Sequence, residues 1–414
     1  MMGVIAGSEQ GVALRRIPRP YRAMLAVCSD LDETPDRGVY WETARFLNTH
    51  ETTPMGEGVG LEVGNSLYFD MAPDQFAYWT TDDTGRSMVR ALIRSGHVDC
   101  FHSYGDLATT RAHAGRALAE LSRHGLALSV WIDHAVAPSN FGADIMRGTG
   151  DLPGAPAYHA DLTCGFGVEY VWRGRVTSVA AQEVPRRLGG LFRPSHPWRS
   201  GRTVAKEWMK GLLARAGSAK YAVHGPNEVL RRARLRDGRE VWEFLRCNPY
   251  WGAVDQSVTA DGFADVLDER MLDILVARGG VSVLYTHLGK VRSREQPLGP
   301  RTRAAFARLA ERERRGLILV TTTSRLLAYC RALRSVSFVV HAVDGGLSIA
   351  VQAPWLGAKA VDALGGLTFD VPDASRTRLT ANGLEVTDLR RFGPDGGGRS
   401  SVSIPWRRLE FPRR

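Results

Sequence analysis

The sequence is poor in cysteine and in lysine, and it has no long hydrophobic run. Its five cysteines (Cys28, Cys100, Cys164, Cys247 and Cys330) stand far apart without a CxxC pair, which argues against a disulfide framework or a zinc knuckle. Cys28 and Cys100 lie in apolar runs of strand length, where a thiol serves as a small core residue. Nothing approaches the ~20 consecutive apolar residues of a membrane-spanning helix. The first twenty residues lack the sustained apolar stretch of a secretory signal, so the expectation is a cytoplasmic protein with no membrane partner. Only five of the 54 basic residues are lysine. The net charge of +10 is therefore carried by scattered arginines, densest over Arg231 to Arg239 and Arg312 to Arg315, with few aromatics between them. That pattern describes a solvated face, and no nucleic-acid partner is expected.

What the chain does have is length and apolar material. With 414 residues, 44% of them apolar, it can bury a large core. Residues 1–20 read as a loose arm. From Ala23 onward, apolar runs of strand length alternate with helical periodicity: strands at Ala23 to Val27, Leu61 to Phe69, Val98 to Phe101, Leu126 to Ile132, Val281 to Tyr285 and Leu317 to Thr321. Helices are expected over Gly38 to Leu47, Arg86 to Ser95, Ala112 to His124, Asp265 to Arg278, Thr302 to Arg314 and Ser324 to Leu333. Between them, Val168 to Val179, Tyr221 to His224 and Val241 to Arg246 read as shorter strands, and Leu191 to Gly201 as irregular. This alternation is the signature of a parallel α/β architecture over residues 21–333. Beyond residue 334 the runs are short and separated by Gly, Pro and Asp, which predicts a small β domain over 334–414.

Polar groups crowd the exits of the expected strands. Asp30 and Asp32 follow the first, His102 and Asp106 the third, Asp133 and His134 the fourth, and His287 the one that ends at Tyr285. Barrel enzymes keep their chemistry at this end of the strands, which favours a barrel over an open sheet. Two aspartates emerging together either coordinate a cation or repel until one takes a proton. His102 and Asp106, four residues apart, would share one side of a helical turn and reach a common metal ion.

The run Gly96-His97 followed by His102-Ser103 and Asp106 resembles the second motif of the NodB-like polysaccharide deacetylases, members of the glycoside hydrolase/deacetylase (β/α)-barrel superfamily. Asn65-Ser66-Leu67-Tyr68-Phe69 is similar to the strand that precedes that motif, Cys28 to Asp32 falls where the family's first acidic motif stands, and Thr286-His287 where its late histidine motif stands. The resemblance spans about residues 22 to 330 with the order kept. It implies an irregular (β/α)7-type barrel with a small C-terminal β domain, and a hydrolase that removes an acyl group, chiefly N-acetyl, from a carbohydrate. By the same resemblance Asp30 is the base and Asp32 a ligand, although the extra residue between them leaves the opposite assignment open. His102 and Asp106 are the other ligands of a divalent ion, zinc or a similar transition metal, and His287 is the general acid. Asp106 stands where the family has a second histidine. The family's arginine after the fourth strand is replaced by Trp131-Ile132-Asp133-His134, so Arg193 is the expected substitute. Trp131, Asp133, His134 and Arg193 are taken to bind substrate or to support the residues that do, with His134 a second option as ligand or acid.

The chemistry is coherent without the family. An amide is a poor electrophile with a poor leaving group, so its hydrolysis near neutral pH needs an activated water, a polarised carbonyl and a proton for the departing nitrogen. Three alternatives stay open: a carbohydrate-cleaving hydrolase of the same superfamily, a non-catalytic carbohydrate-binding barrel, and a phosphatase. The last rests on Asp30-Leu31-Asp32-Glu33-Thr34, which is similar to the DxDxT loop of haloacid-dehalogenase phosphatases, although their downstream lysine and acidic pair are missing. His97, Trp198, Trp242 and Trp251 are expected to be structural.

Overall fold

The structure, a computed structural model, describes residues 11–31, 34–249, 259–291, 293–343 and 345–413. It is mixed α/β, built on a curled, mostly parallel sheet. We label its strands β1 (Ala23–Ser29), β2 (Gly64–Leu67), β3 (Val98–His102), β4 (Val130–Ile132), β5 (Tyr170–Trp172), β6 (Val176–Thr177), β7 (Leu230–Arg234), β8 (Glu240–Phe244), β9 (Arg246–Cys247), β10 (Val281–Thr286) and β11 (Ile318–Thr321). Ten of them follow the order β7-β8-β5-β4-β3-β2-β1-β10-β9-β6, and β11 lies off that path against the first half of β1. Only the β7/β8 pair is antiparallel.

Strand β1 shows why the sheet is buried on both sides. Ala23, Leu25 and Val27 pack with helix residues such as Leu47, Val89 and Phe306, while Met24, Ala26 and Cys28 pack on the opposite face. A continuous apolar run with period two is what a parallel strand covered on both faces requires. The second cluster runs on into Phe338, Ile349, Phe369 and Val402, so the inner face of β1 and the C-terminal sheets belong to one packed region.

The helices are set by local signals. Asp36 caps Arg37–Asn48, its carboxylate accepting from the amides of Gly38 and Val39. Helix Asp83–Arg94 is capped by Asp82, and Gly96, at φ +82°, turns the chain directly into β3. The expected helix over 265–278 is interrupted: Asp268 accepts from the Met271 amide and starts Glu269–Arg278 afresh.

Other stretches also differ from expectation. Tyr221 to His224 forms no strand but a short 3-10 turn, Ala222–His224. The segment read as irregular becomes a helix at Pro197 that runs to Arg215. Its buried residues are Ser200, Thr203, Glu207 and Gly211, so no apolar period announces it.

Beyond helix Thr323–Ser335 the described residues carry two four-stranded sheets and a short helical stretch, Pro354–Lys359 and Ala360–Ala363. One four-stranded sheet holds Ser337–Val343, Gly346–Gln352, Thr377–Ala381 and Leu384–Glu385, and the other Thr368–Val371, Arg390–Phe392, Ser400–Ser403 and Ala13–Leu14. The segment expected as a loose arm is thus partly a strand, with Ala13 opposite Asp370 and the Arg15 guanidinium 2.9 Å from that carboxylate. No helix among the described residues is long and apolar enough to cross a membrane.

Candidate active site

Strands β1 to β4 and β10 run parallel, and the polar residues singled out by their position in the sequence stand at these strand ends. Asp30 follows β1, His102 closes β3, Asp133 and His134 follow β4, and His287 follows β10. The crevice beyond the carboxyl ends of parallel strands is where α/β folds expose functional groups.

Asp30 is fully buried at the centre, its amide donating to the Thr286 carbonyl at 2.9 Å. The Ser66 hydroxyl lies 3.2 Å from Oδ1, His102 Nδ1 lies 3.8 Å from the same oxygen, and His287 Nε2 lies 3.7 Å from Oδ2. Oδ2 has no hydrogen-bond partner among the described residues. Burial alone would raise the pKa of this carboxyl. The positive charges available at His102, Arg246 and His287 outweigh burial and hold it below the usual carboxylate value. His287 is in turn held by the Tyr285 hydroxyl, 2.6 Å from Nε2.

His102 is buried with the ring of Tyr68 stacked on it, centroids 4.3 Å apart, and the His134 ring edge-on at 4.7 Å. Asp106 does not share a helical turn with His102. Ser103, Tyr104 and Gly105 take left-handed backbone, with φ of +53°, +61° and +98°. This carries Asp106 to His134, whose Nδ1 stands 2.7 Å from Oδ1. That hydrogen bond is the main reason the Asp106 pKa is lowered. The turn is tight because Gly105 passes over the Asp70 carbonyl, where a Cβ would meet the oxygen at 2.2 Å. Left-handed conformations at Ser103 and Tyr104 cost ~1–3 kcal/mol each. They are held by the Ser139 hydroxyl on the Ser103 carbonyl and by the Tyr104–Thr163 hydroxyl pair at 2.8 Å.

The remaining expected residues fall into different roles. Trp131 is fully buried, stacks on Phe141 and donates its Nε1–H to Asp133 at 2.7 Å, so its ring offers no face to a sugar. Asp133 also accepts from the Phe141 amide at 2.8 Å, and burial pushes its pKa up to about 7. This pair shapes the loop after β4. Arg193 is bound to Asp268 at 2.8 Å, not to Asp30. Asp32 and Trp251 lie outside the described residues. His97 is a core residue, its Nδ1 3.0 Å from the Ser95 hydroxyl and its pKa depressed to about 4 by burial. Trp198, expected in the core, is 87% exposed.

The residue overlooked in sequence is Arg246. It is fully buried, with its guanidinium 4.0 Å from the Trp172 ring centroid and 4.5 Å from that of Tyr285, and it donates to Cys28 Sγ at 3.0 Å. Its Nε and Nη1 have no hydrogen-bond partner among the described residues. A charged residue at the end of the run Val241 to Leu245, apolar apart from Glu243, was the available signal. Ser66 and Tyr285, both on strands, were overlooked as contacts for the same reason: their neighbours on other strands are invisible in one dimension.

No three His, Cys, Asp or Glu side chains among the described residues converge closely enough to enclose an ion. The donor chemistry is nonetheless suited to one. Asp106 on His134 Nδ1 is the carboxylate–imidazole arrangement that fixes a ring for ligation through its other nitrogen. The buried Oδ2 of Asp30, with no hydrogen-bond partner among the described residues, also leaves an acceptor for a water or a cation. Comparison with protein-family models, with curated proteins and with solved structures finds no match for this chain.

Proposed function

We propose that the chain is a metal-dependent hydrolase that removes an acyl group, chiefly N-acetyl, from a carbohydrate, in the manner of the NodB-like deacetylases it resembles. The observation that carries this is Asp30: a fully buried carboxylate of lowered pKa, with one oxygen facing His102 and the other facing His287, at the carboxyl ends of parallel strands. We take the curled sheet as a (β/α)7-type barrel. In support, Cys247 of β9 is paired with Thr177 on one side and Leu284 on the other, while β8, one residue earlier, is paired with β5.

In this proposal His102 and His134 would hold a divalent cation, zinc or a similar metal, Asp32 being added by the family resemblance alone, and Asp106 orients His134. Such an ion would supply Lewis-acid chemistry to a water and to the acyl carbonyl. Asp30 accepts the water's proton; its lowered pKa keeps it ionised at neutral pH, and Ser66 limits its rotation. His287 delivers a proton to the leaving nitrogen, with the Tyr285 hydroxyl fixing its ring. Arg246 touches no substrate in this scheme and acts by stabilising the Asp30 anion electrostatically.

The test is metal content and acetate release on a panel of N-acetylated saccharides, comparing wild type with His102→Ala. Loss of both in the variant is expected. Equal metal occupancy and equal turnover would remove the site.

A further inference from the structure

We infer that helix Pro197–Arg215 docks the protein on an anionic membrane surface, a conclusion independent of the hydrolase proposal and contrary to the expectation from sequence of no membrane partner. The helix is inverted. Its inward face is Ser200, Thr203, Glu207 and Gly211, all buried, whereas Trp198, Trp208, Met209 and Leu213 are exposed. By contrast, helices Asp83–Arg94 and Pro300–Arg314 bury their apolar residues and leave no large hydrophobic side chain exposed.

The inversion is anchored. Glu207 is fully buried, accepts from the Thr177 hydroxyl at 2.9 Å and the Ser178 amide at 3.1 Å, and pairs with Lys210 at 2.7 Å and Arg186 at 3.0 Å. Rolling the helix to bury its tryptophans would break this cluster and strand the cations, so the apolar face is held toward solvent by charge.

Charge also selects the occupant. Glu207 is the only acid on the helix and is consumed internally, while Arg199, Arg202 and Arg215 are exposed beside the apolar side chains. A second copy of this face would bring arginines against arginines. An anionic bilayer satisfies both parts, with tryptophan and leucine side chains entering the interface and guanidiniums meeting phosphates. Phe192, 46% exposed on the preceding turn, extends the apolar area. Next to that turn lies a cavity of about 190 Å³ walled by Leu191, Met271 and Ile274, with Arg187 in its lining.

The full chain should co-sediment with vesicles of phosphatidylcholine containing phosphatidylglycerol and not with phosphatidylcholine alone. Raising salt from about 0.05 M to about 0.5 M should weaken binding roughly tenfold or more. Trp198→Ser with Trp208→Ser, both on the exposed face, should lower binding roughly tenfold while leaving the circular dichroism and the melting temperature unchanged. Three results would overturn the inference: no sedimentation with the anionic vesicles at low salt, binding that the double variant retains, or a concentration-dependent dimer that the double variant abolishes.

Discussion

Asp30 and Asp133 are both fully buried, both follow strands of one parallel sheet, and they titrate in opposite directions. Asp30 is held below 3.8, whereas Asp133 is raised to about 7. Burial pushes both the same way, so neighbours decide. Asp133 receives two N–H donors at one oxygen, with Arg173 acting from a distance, and neutral donors offset only part of the desolvation of a charge. Asp30 has two imidazoles and a guanidinium around it, and ionic neighbours at short range in a dry site outweigh the same penalty. The contrast separates a carboxylate built to stay charged from one built to hold a loop.

The sharpest way to break the comparison is Asp30→Asn, which keeps shape and removes charge. Turnover of an N-acetylated saccharide should fall on the order of 10³-fold, mainly in kcat. Stability should fall as well, by about 3 kcal/mol at neutral pH, because the cations around the site lose their counter-charge. The sign follows from linkage: a carboxyl with a lowered folded-state pKa contributes stability above its unfolded value near 3.8 and loses it as the pH falls through the folded value. Urea unfolding at neutral and at strongly acidic pH should therefore show a gap between variant and wild type that closes in acid. A gap independent of pH would contradict the lowered pKa.

Arg246→Met tests the cause. Without the guanidinium, one of the charges that lower the Asp30 pKa is gone, the next in order after His102, so the pKa should rise and the acid limb of the pH–rate profile should move to higher pH. Unfolding should become easier by roughly 3 kcal/mol, since an uncompensated carboxylate remains in the interior. Activity that survives at high pH and is lost at low pH is the expected outcome. A uniform loss at every pH would mean that Arg246 only fills space between Trp172 and Tyr285.

The two aspartates also show how far the sequence could be read. Asp30, His102, His134 and His287 were legible because each stands at the end of an apolar run, and strand ends in a parallel sheet share one side of the fold. Their partners were not. Asp106 was placed beside His102 on the assumption of a helical turn, and three left-handed residues sent it to His134 instead. Arg246 was passed over because its role depends on β9 lying inside the sheet near β1, a relation between residues more than two hundred positions apart. The inverted helix escaped for the opposite reason: its periodicity is that of an ionic cluster, and hydrophobic pattern recognises only apolar burial.

The smallest expected effect, and the one that completes the comparison, belongs to Asp133→Asn. The amide oxygen can still accept from Trp131 Nε1 and the Phe141 amide, so the loop after β4 should keep its shape. What disappears is the penalty of ionising a buried carboxyl. In the wild type the folded state holds its proton up to about pH 7 while the unfolded chain releases it near 3.8. Folded protein therefore binds more protons across that window, and stability declines as the pH rises through it. The variant, which has nothing to titrate, should match the wild type below that window and exceed it at and above neutral pH in metal-free protein. This is opposite in sign to Asp30→Asn, whose deficit opens over the more acidic range. Chemical unfolding of both variants across the same pH series should give two curves that diverge from the wild type in opposite directions. Two curves displaced the same way would mean that burial, and not the neighbouring charges, governs both aspartates.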